Sequence, residues 1–220
     1  MLELNFDLRA DRPPRLLFIG AHSDDIEIGC GGAVIELSNR YPDAQVHWVV
    51  LSSEGSRGRE AENAASALLS GMHEPVIMIQ DFRGAYFPSE AAAIKDFFEQ
   101  LKGFAPDAIF THCREELHQD HRIVGELTWN TFRDHLILEY EIPKYDGGMG
   151  SPSVFVPLSN DTVRRKIDLL MSVFESQHDK QWFTPETFLG LMRLRGIECN
   201  APSGYAEAFY SRKLVLGTPR

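Results

Sequence analysis

An apolar run, Phe18-Ile19-Gly20-Ala21, ends in His22-Ser23-Asp24-Asp25, and a second polar cluster, His118-Gln119-Asp120-His121, follows much later in the chain. Imidazole nitrogens and carboxylate oxygens are zinc donors, and a hydrolytic metal site also needs a base beside its water. His22 and Asp25, three residues apart at the mouth of a strand, supply two donors, and Asp24 between them can face the water. His118 and His121 stand three residues apart, which places both rings on one side of a helical turn. A closed four-donor site is structural, whereas a catalytic one keeps a position for water. One of these two histidines is therefore expected to bind metal. The other, with Asp120 able to hold its ring, is expected to polarise a substrate oxygen. Together the clusters read as one metal-hydrolase site.

Two blander readings compete with this one. Asp24 and Asp25 could serve only as favourable charges at a helix start, but that accounts for an acid and not for a His-x-Asp-Asp set. Gly29-Cys30-Gly31-Gly32 could cradle a phosphate. A dinucleotide fingerprint, however, places its glycines directly after the strand, and two carboxylates at the helix start would repel a pyrophosphate. Close packing of that helix on a sheet is the better use of these glycines.

The elements needed to bring the clusters together are legible from hydrophobic patterning. Strands are expected at Arg15–Ala21, Val46–Ser52, Val76–Gln80, Ala108–His112, Leu136–Ile142, Val154–Val156 and Ala208–Leu216. Helices are expected at Gly29–Arg40, Glu60–Gly71, Glu90–Gly103, His121–Arg133, Asp161–Ser176 with Asp161 as cap, and Pro185–Arg195. This alternation predicts a single α/β domain over residues 1–220, Rossmann-like, with a mostly parallel sheet flanked by helices on both faces. In such a sheet ligands collect at the carboxyl ends of the strands. Both clusters fall there, one after the first strand and one after Ala108–His112.

The chain has 220 residues, 43% of them hydrophobic and 25% charged, enough for one sizeable core. Its formal charge of −10 argues against nucleic acid and against an anionic membrane surface as partners. The three cysteines, Cys30, Cys113 and Cys199, form no CxxC pair, so neither a disulfide framework nor a thiolate metal site is expected. Met1 to Pro14 lacks a continuous apolar stretch, and a cytoplasmic location is the default expectation. An α/β enzyme of this size often associates, so a homo-oligomer is in keeping with it. His112, at the end of a strand, reads as a satisfied interior histidine, and His178 as a residue able to reach the pocket.

Ala21-His22-Ser23-Asp24-Asp25 followed by His118-Gln119-Asp120-His121 resembles the PIG-L/LmbE family of zinc-dependent N-deacetylases, whose pattern is Ala-His-Pro-Asp-Asp and then His-x-Asp-His. Arg59, Glu62 and Ala206-Glu207-Ala208-Phe209 add secondary support, so the resemblance spans most of the chain. It implies that His22, Asp25 and His121 bind Zn2+ or another divalent transition metal, and that Asp24 is the general base and then the acid. It also implies that a protonated His118, oriented by Asp120, stabilises the oxyanion, and that Arg59 and Glu62 contact substrate. Some members place a tyrosine at the oxyanion, and Tyr145 is the residue taken for such a substrate contact here. Ser23 stands where the family has proline, which loosens the loop but removes no functional group.

The reaction so implied is hydrolysis of an N-acetyl group on a small amino sugar or sugar conjugate, releasing acetate. The family's substrates are mostly N-acetylglucosamine units in glycolipids, thiol conjugates, antibiotics and nucleotide-linked sugars. A hydrolase of another amide, ester or phosphoester would use the same ligands. A non-catalytic binding module of α/β fold would have little use for Asp24.

Overall fold

A computed structural model describes residues 12–215 of the chain. The strands are β1 (Arg15–Gly20), β2 (Gln45–Val50), β3 (Val76–Ile79), β4 (Ala108–His112), β5 (Leu136–Tyr140), β6 (Val154–Pro157) and β7 (Ala206–Tyr210). The helices are α1 (Asp25–Arg40), α2 (Arg57–Leu68), α3 (Phe87–Leu101), α4 (Gln119–Thr131), α5 (Asn160–Val173) and α6 (Pro185–Cys199). All seven strands form one sheet in the order β3-β2-β1-β4-β5-β7-β6. The first five are parallel. β7 runs antiparallel between β5 and β6, so the sheet is mostly parallel but mixed at one edge.

Alternate residues of β1 enter different cores, as a period of two requires. Leu16 and Phe18 join a cluster with Val34, Ala61, Leu170 and Phe188, from α1, α2, α5 and α6. Leu17 and Ile19 join a cluster on the other face with Phe87, Ile94, Phe98 and Val124, from α3 and α4. β1 is thus covered on both sides, which explains why it reads as a continuous apolar run rather than an alternating one. After β3 the chain returns to the other side of β1, so the loops after β1 and β4 part at a crevice, the place where open α/β sheets bind ligands.

α1 is broken inside. Cys30 has φ −147° and ψ 18°, which frees a carbonyl before the break and amides after it. Lys166 Nζ donates to Ile28 O at 2.6 Å, and the Glu207 carboxylate accepts from Gly32 N at 2.8 Å and Ala33 N at 2.6 Å. Lys166 and Glu207 are themselves paired at 2.6 Å and both buried. One ion pair from α5 and β7 therefore satisfies both sides of the break. The glycines there serve contact: a Cβ on Gly29 would lie 2.3 Å from the Tyr140 ring, and one on Gly32 would lie 2.7 Å from Leu158.

Several boundaries differ from the sequence reading. α1 starts at Asp25, and α2 starts at Arg57 and ends before Gly71, at Leu68. The cap of α5 is Ser159, whose Oγ accepts from Thr162 N, rather than Asp161, which lies already inside the helix. β7 is shorter than the expected Ala208–Leu216 and begins at Ala206; position 216 lies outside the described residues, as does most of the N-terminal stretch Met1 to Pro14. Among the described residues no helix is long and apolar enough to cross a membrane.

Candidate metal centre

The loop after β1 is stitched to its neighbours before it carries any chemistry. Ser52 N donates to Ala21 O at 2.9 Å, and Ala21 N donates to His112 Nε2 at 3.0 Å. His22 N donates to Asp25 Oδ2 at 2.6 Å, so the Asp25 carboxylate is folded back onto the loop that precedes its helix. Asp24 occupies the cap position of α1 but makes no capping hydrogen bond with its side chain, which frees it for other work.

The crevice brings His22, Asp25 and His121 together. His22 Nδ1 lies 3.1 Å from His121 Nε2 and 3.3 Å from Asp25 Oδ2, and His121 Nε2 lies 3.4 Å from Asp25 Oδ1. A tetrahedral zinc ion with bonds of about 2.0–2.2 Å holds its donors roughly 3.3–3.5 Å apart. The donor set fits such an ion in chemistry, and its separations of 3.1–3.4 Å, taken on Oδ2 of Asp25 toward His22 and on Oδ1 toward His121, lie close to that spacing. Each ring is gripped at its other nitrogen by a carboxylate: His22 Nε2 is 3.1 Å from Asp120 Oδ2, and His121 Nδ1 is 3.3 Å from Glu116 Oε2. Carboxylates in this position fix the tautomer and aim of a metal-binding imidazole.

His118 caps α4 from the more open side. Its ring stands edge-on to His22 at 5.2 Å between centroids, and its Nδ1 has no partner. His22, His118 and His121 form one group of close donor atoms, and Asp25, His112 and His121 another. His112 is fully buried and its Nε2 serves the Ala21 amide while lying 3.1 Å from Asp25 Oδ2. It is an interior histidine stacked on the His121 ring at 4.0 Å between centroids, but its Nδ1 has no partner, so it is not the satisfied one expected.

The electrostatics divide these groups into distinct states. Burial alone would lower His22, but Asp25, Asp120 and Asp24 more than reverse this and raise it to about 9. Burial lowers His121 to about 3, which keeps its ring neutral, and with Nδ1 facing the Glu116 carboxylate Nε2 is the nitrogen left to accept. Burial would raise Asp25, yet the imidazoles of His121, His112 and His22 hold it well below the usual carboxylate range. Asp24 is only 4% exposed, and burial lifts it above that range although Arg57 pulls the other way. Arg57 Nη2 meets Asp24 Oδ1 at 2.8 Å. The fully buried carboxyl of Glu27 has no partner on either oxygen, and burial drives it strongly toward the neutral form.

The structure corrects three expectations. Asp120 holds His22 and takes the backbone amides of Ala85 (2.6 Å) and Phe87 (3.2 Å), instead of orienting His118. His118 is lowered by burial and by the charge on His22, a direction that runs against the protonated imidazole expected. On α2, Arg59 and Glu62 point to solvent, and the residue that reaches the crevice is Arg57. Tyr145 is 72% exposed in the segment after β5. Sequence reasoning missed Arg57, Glu116 and Lys144, whose Nζ meets Glu116 Oε2 at 2.6 Å. Glu116 lies two residues before His118, so its place in that loop was the available signal.

Residues 17–132 match the family profile PIG-L, GlcNAc-PI de-N-acetylase. The chain is similar in structure to an N,N'-diacetylchitobiose deacetylase from Pyrococcus horikoshii, with 23% identity, a TM-score of 0.71, and coverage of 94% of this chain and 87% of that one. It is similar to a 4-carboxy-2-hydroxymuconate hydratase from Pseudomonas putida, with 15% identity, a TM-score of 0.72, and coverage of 94% and 99%. A teicoplanin deacetylase in its zinc-inhibited form matches with 13% identity, a TM-score of 0.66, and coverage of 90% and 97%. At these identities the structural likeness establishes the fold.

Proposed function

The chain belongs to the PIG-L, GlcNAc-PI de-N-acetylase, family, and from that premise we propose that it is a zinc-dependent N-deacetylase. It removes the acetyl group from an N-acetylated amino sugar or sugar conjugate and releases acetate. The observation that carries this reading is the donor triangle of His22 Nδ1, His121 Nε2 and Asp25, with edges of 3.1–3.4 Å and a buried carboxylate, Asp24, next in the chain. A divalent metal held there supplies Lewis acidity to water and to a carbonyl oxygen.

The side chains supply the rest. Asp24, aimed by Arg57, accepts the proton of the attacking water. Its raised pKa suits a base that must later act as an acid. His118, as a neutral imidazole, donates a hydrogen bond to the acetamide oxygen as that oxygen gains charge; loss of such a donor typically slows a reaction about 100- to 1,000-fold. Asp24 then passes its proton to the nitrogen of the leaving amine. One water is consumed and one amide bond is broken, giving acetate and a free amine.

The hydratase among the similar folds favours a second reading, in which the same centre activates water for addition to a carbon–carbon double bond. One experiment separates the two. Wild type and Asp24→Asn, both analysed for metal, are offered a panel of N-acetylated sugars, sugar conjugates and unsaturated carboxylic acids. Acetate from the wild type alone, with zinc in both proteins, is the expected result. Loss of the absorbance of an unsaturated acid without acetate would move the assignment to the hydratase chemistry.

A further inference from the structure

The two histidines of the centre are gripped by carboxylates, but the carboxylates are anchored differently. Asp120, which holds His22, rests on two backbone amides, Ala85 N at 2.6 Å and Phe87 N at 3.2 Å. Glu116, which holds His121, has one backbone anchor, Leu117 N on Oε1 at 2.8 Å. Its other oxygen, Oε2, is the one that meets His121 Nδ1, and Lys144 Nζ fixes that oxygen at 2.6 Å. Lys144 Nζ also donates to Ile142 O at 3.1 Å. The side chain of Lys144 is only 8% exposed although it opens the surface segment 144–150.

We propose that Lys144 is a positioning residue for the metal centre, acting through Glu116 on His121. Without the ammonium group, Glu116 keeps a single backbone anchor about which its carboxylate can swing. The Nδ1–H of His121 then loses a fixed acceptor, and Nε2 loses its aim at His22 and Asp25. The same link ties the centre to the surface segment 144–150. Gly148 (φ 82°) places its Cα so that a Cβ would stand 3.3 Å from Leu117 Cγ, and Tyr145 and Met149 of this segment are exposed. The inference rests on the metal-site half of the function proposed above and is independent of the substrate.

The test is zinc affinity by competition with a chromogenic chelator, together with the visible absorption of the cobalt-loaded protein, for wild type, Lys144→Met and Lys144→Arg. Loss of a group that orients a metal ligand typically weakens metal binding about 10- to 100-fold. Lys144→Met should show a loss of that size and an altered cobalt spectrum, while Lys144→Arg restores most of both. If Lys144→Met does not fold, Lys144→Gln, which keeps a donor without the charge, should weaken zinc in the same direction. An unchanged affinity and spectrum in a folded Lys144→Met or Lys144→Gln protein overturns the role of Lys144 alone. A wild type that binds zinc but releases no acetate leaves that role intact and removes the deacetylase reading. A wild type that binds no metal removes both.

Discussion

Arg57 Nη2 lies 2.8 Å from Asp24 Oδ1, joining the first turn of α2 to the cap position of α1. Asp24 is nearly enclosed, and Arg57 supplies its largest favourable electrostatic interaction. A buried carboxylate stripped of its partner keeps the cost of desolvation without the compensating contact. The pair therefore both steadies Asp24 in its charged form and fixes which way it points.

Arg57→Ala should lower kcat for acetate release by tenfold or more, because the aim of the base is lost while the metal ligands stay in place. Stability should fall by roughly 1–3 kcal/mol, the usual cost of leaving a buried charged group without its hydrogen bond. Zinc content should match wild type, and Arg57→Lys should recover part of the rate. A kcat equal to wild type in Arg57→Ala would show that the pair has no part in catalysis.

Asp120→Ala should damage metal binding rather than chemistry. Asp120 grips His22 Nε2 and also ties down the segment before α3 through Ala85 and Phe87. Zinc affinity is expected to drop about 10- to 100-fold. Activity should return at saturating zinc to the extent that His22 is recaptured. A variant that binds zinc as tightly as wild type would count against Asp120 as the group that sets the His22 ring.

The metal-free protein should show a pH dependence traceable to His22. Its pKa is raised to about 9 in the fold from an ordinary 6.5, so the folded state binds its proton more tightly than the unfolded chain does. Stability from this group is fully present below about pH 6.5 and is lost as pH rises through about 9. On the proposed function zinc would have to displace that proton, so apparent affinity should climb with pH over the same interval, by up to about tenfold per unit. Chelator-treated protein melted from pH 6 to 10 tests the first statement, and His22→Gln should flatten the profile.

Glu207→Gln should be costly although Glu207 sits away from the centre. Its carboxylate receives Gly32 N and Ala33 N and is paired with the buried Lys166, so the amide would leave a charge stranded and one donor facing another. Breaking a buried pair typically costs about 3–5 kcal/mol. Denaturant unfolding of the two proteins measures it; a change below about 1 kcal/mol would mean that the break in α1 does not depend on this pair.

Much of this molecule is legible in one dimension. The apolar runs of β1, β2 and β4 and the amphipathic stretches between them are local patterns, so the alternating order and the sheet class follow from them. His22, Asp24 and Asp25 share one loop, and His118, Asp120 and His121 share another. Short-range spacing therefore placed each cluster, and the strand ends brought both to the same edge.

What the tertiary structure alone decided is which of these groups touch. Asp120 lies two residues from His118 and 98 from His22, yet it is His22 that it holds. Arg57 rather than Arg59 enters the crevice because only one side of α2 faces it, and a boundary error of a few residues rotates that side. Lys166, Glu207 and the break in α1 are separated by as many as 175 positions, and no local pattern links them. Nor does one place β7 antiparallel between β5 and β6. Side-chain pairing depends on distances of about 3 Å between elements, whereas hydrophobic periodicity reports only which face of each element is buried.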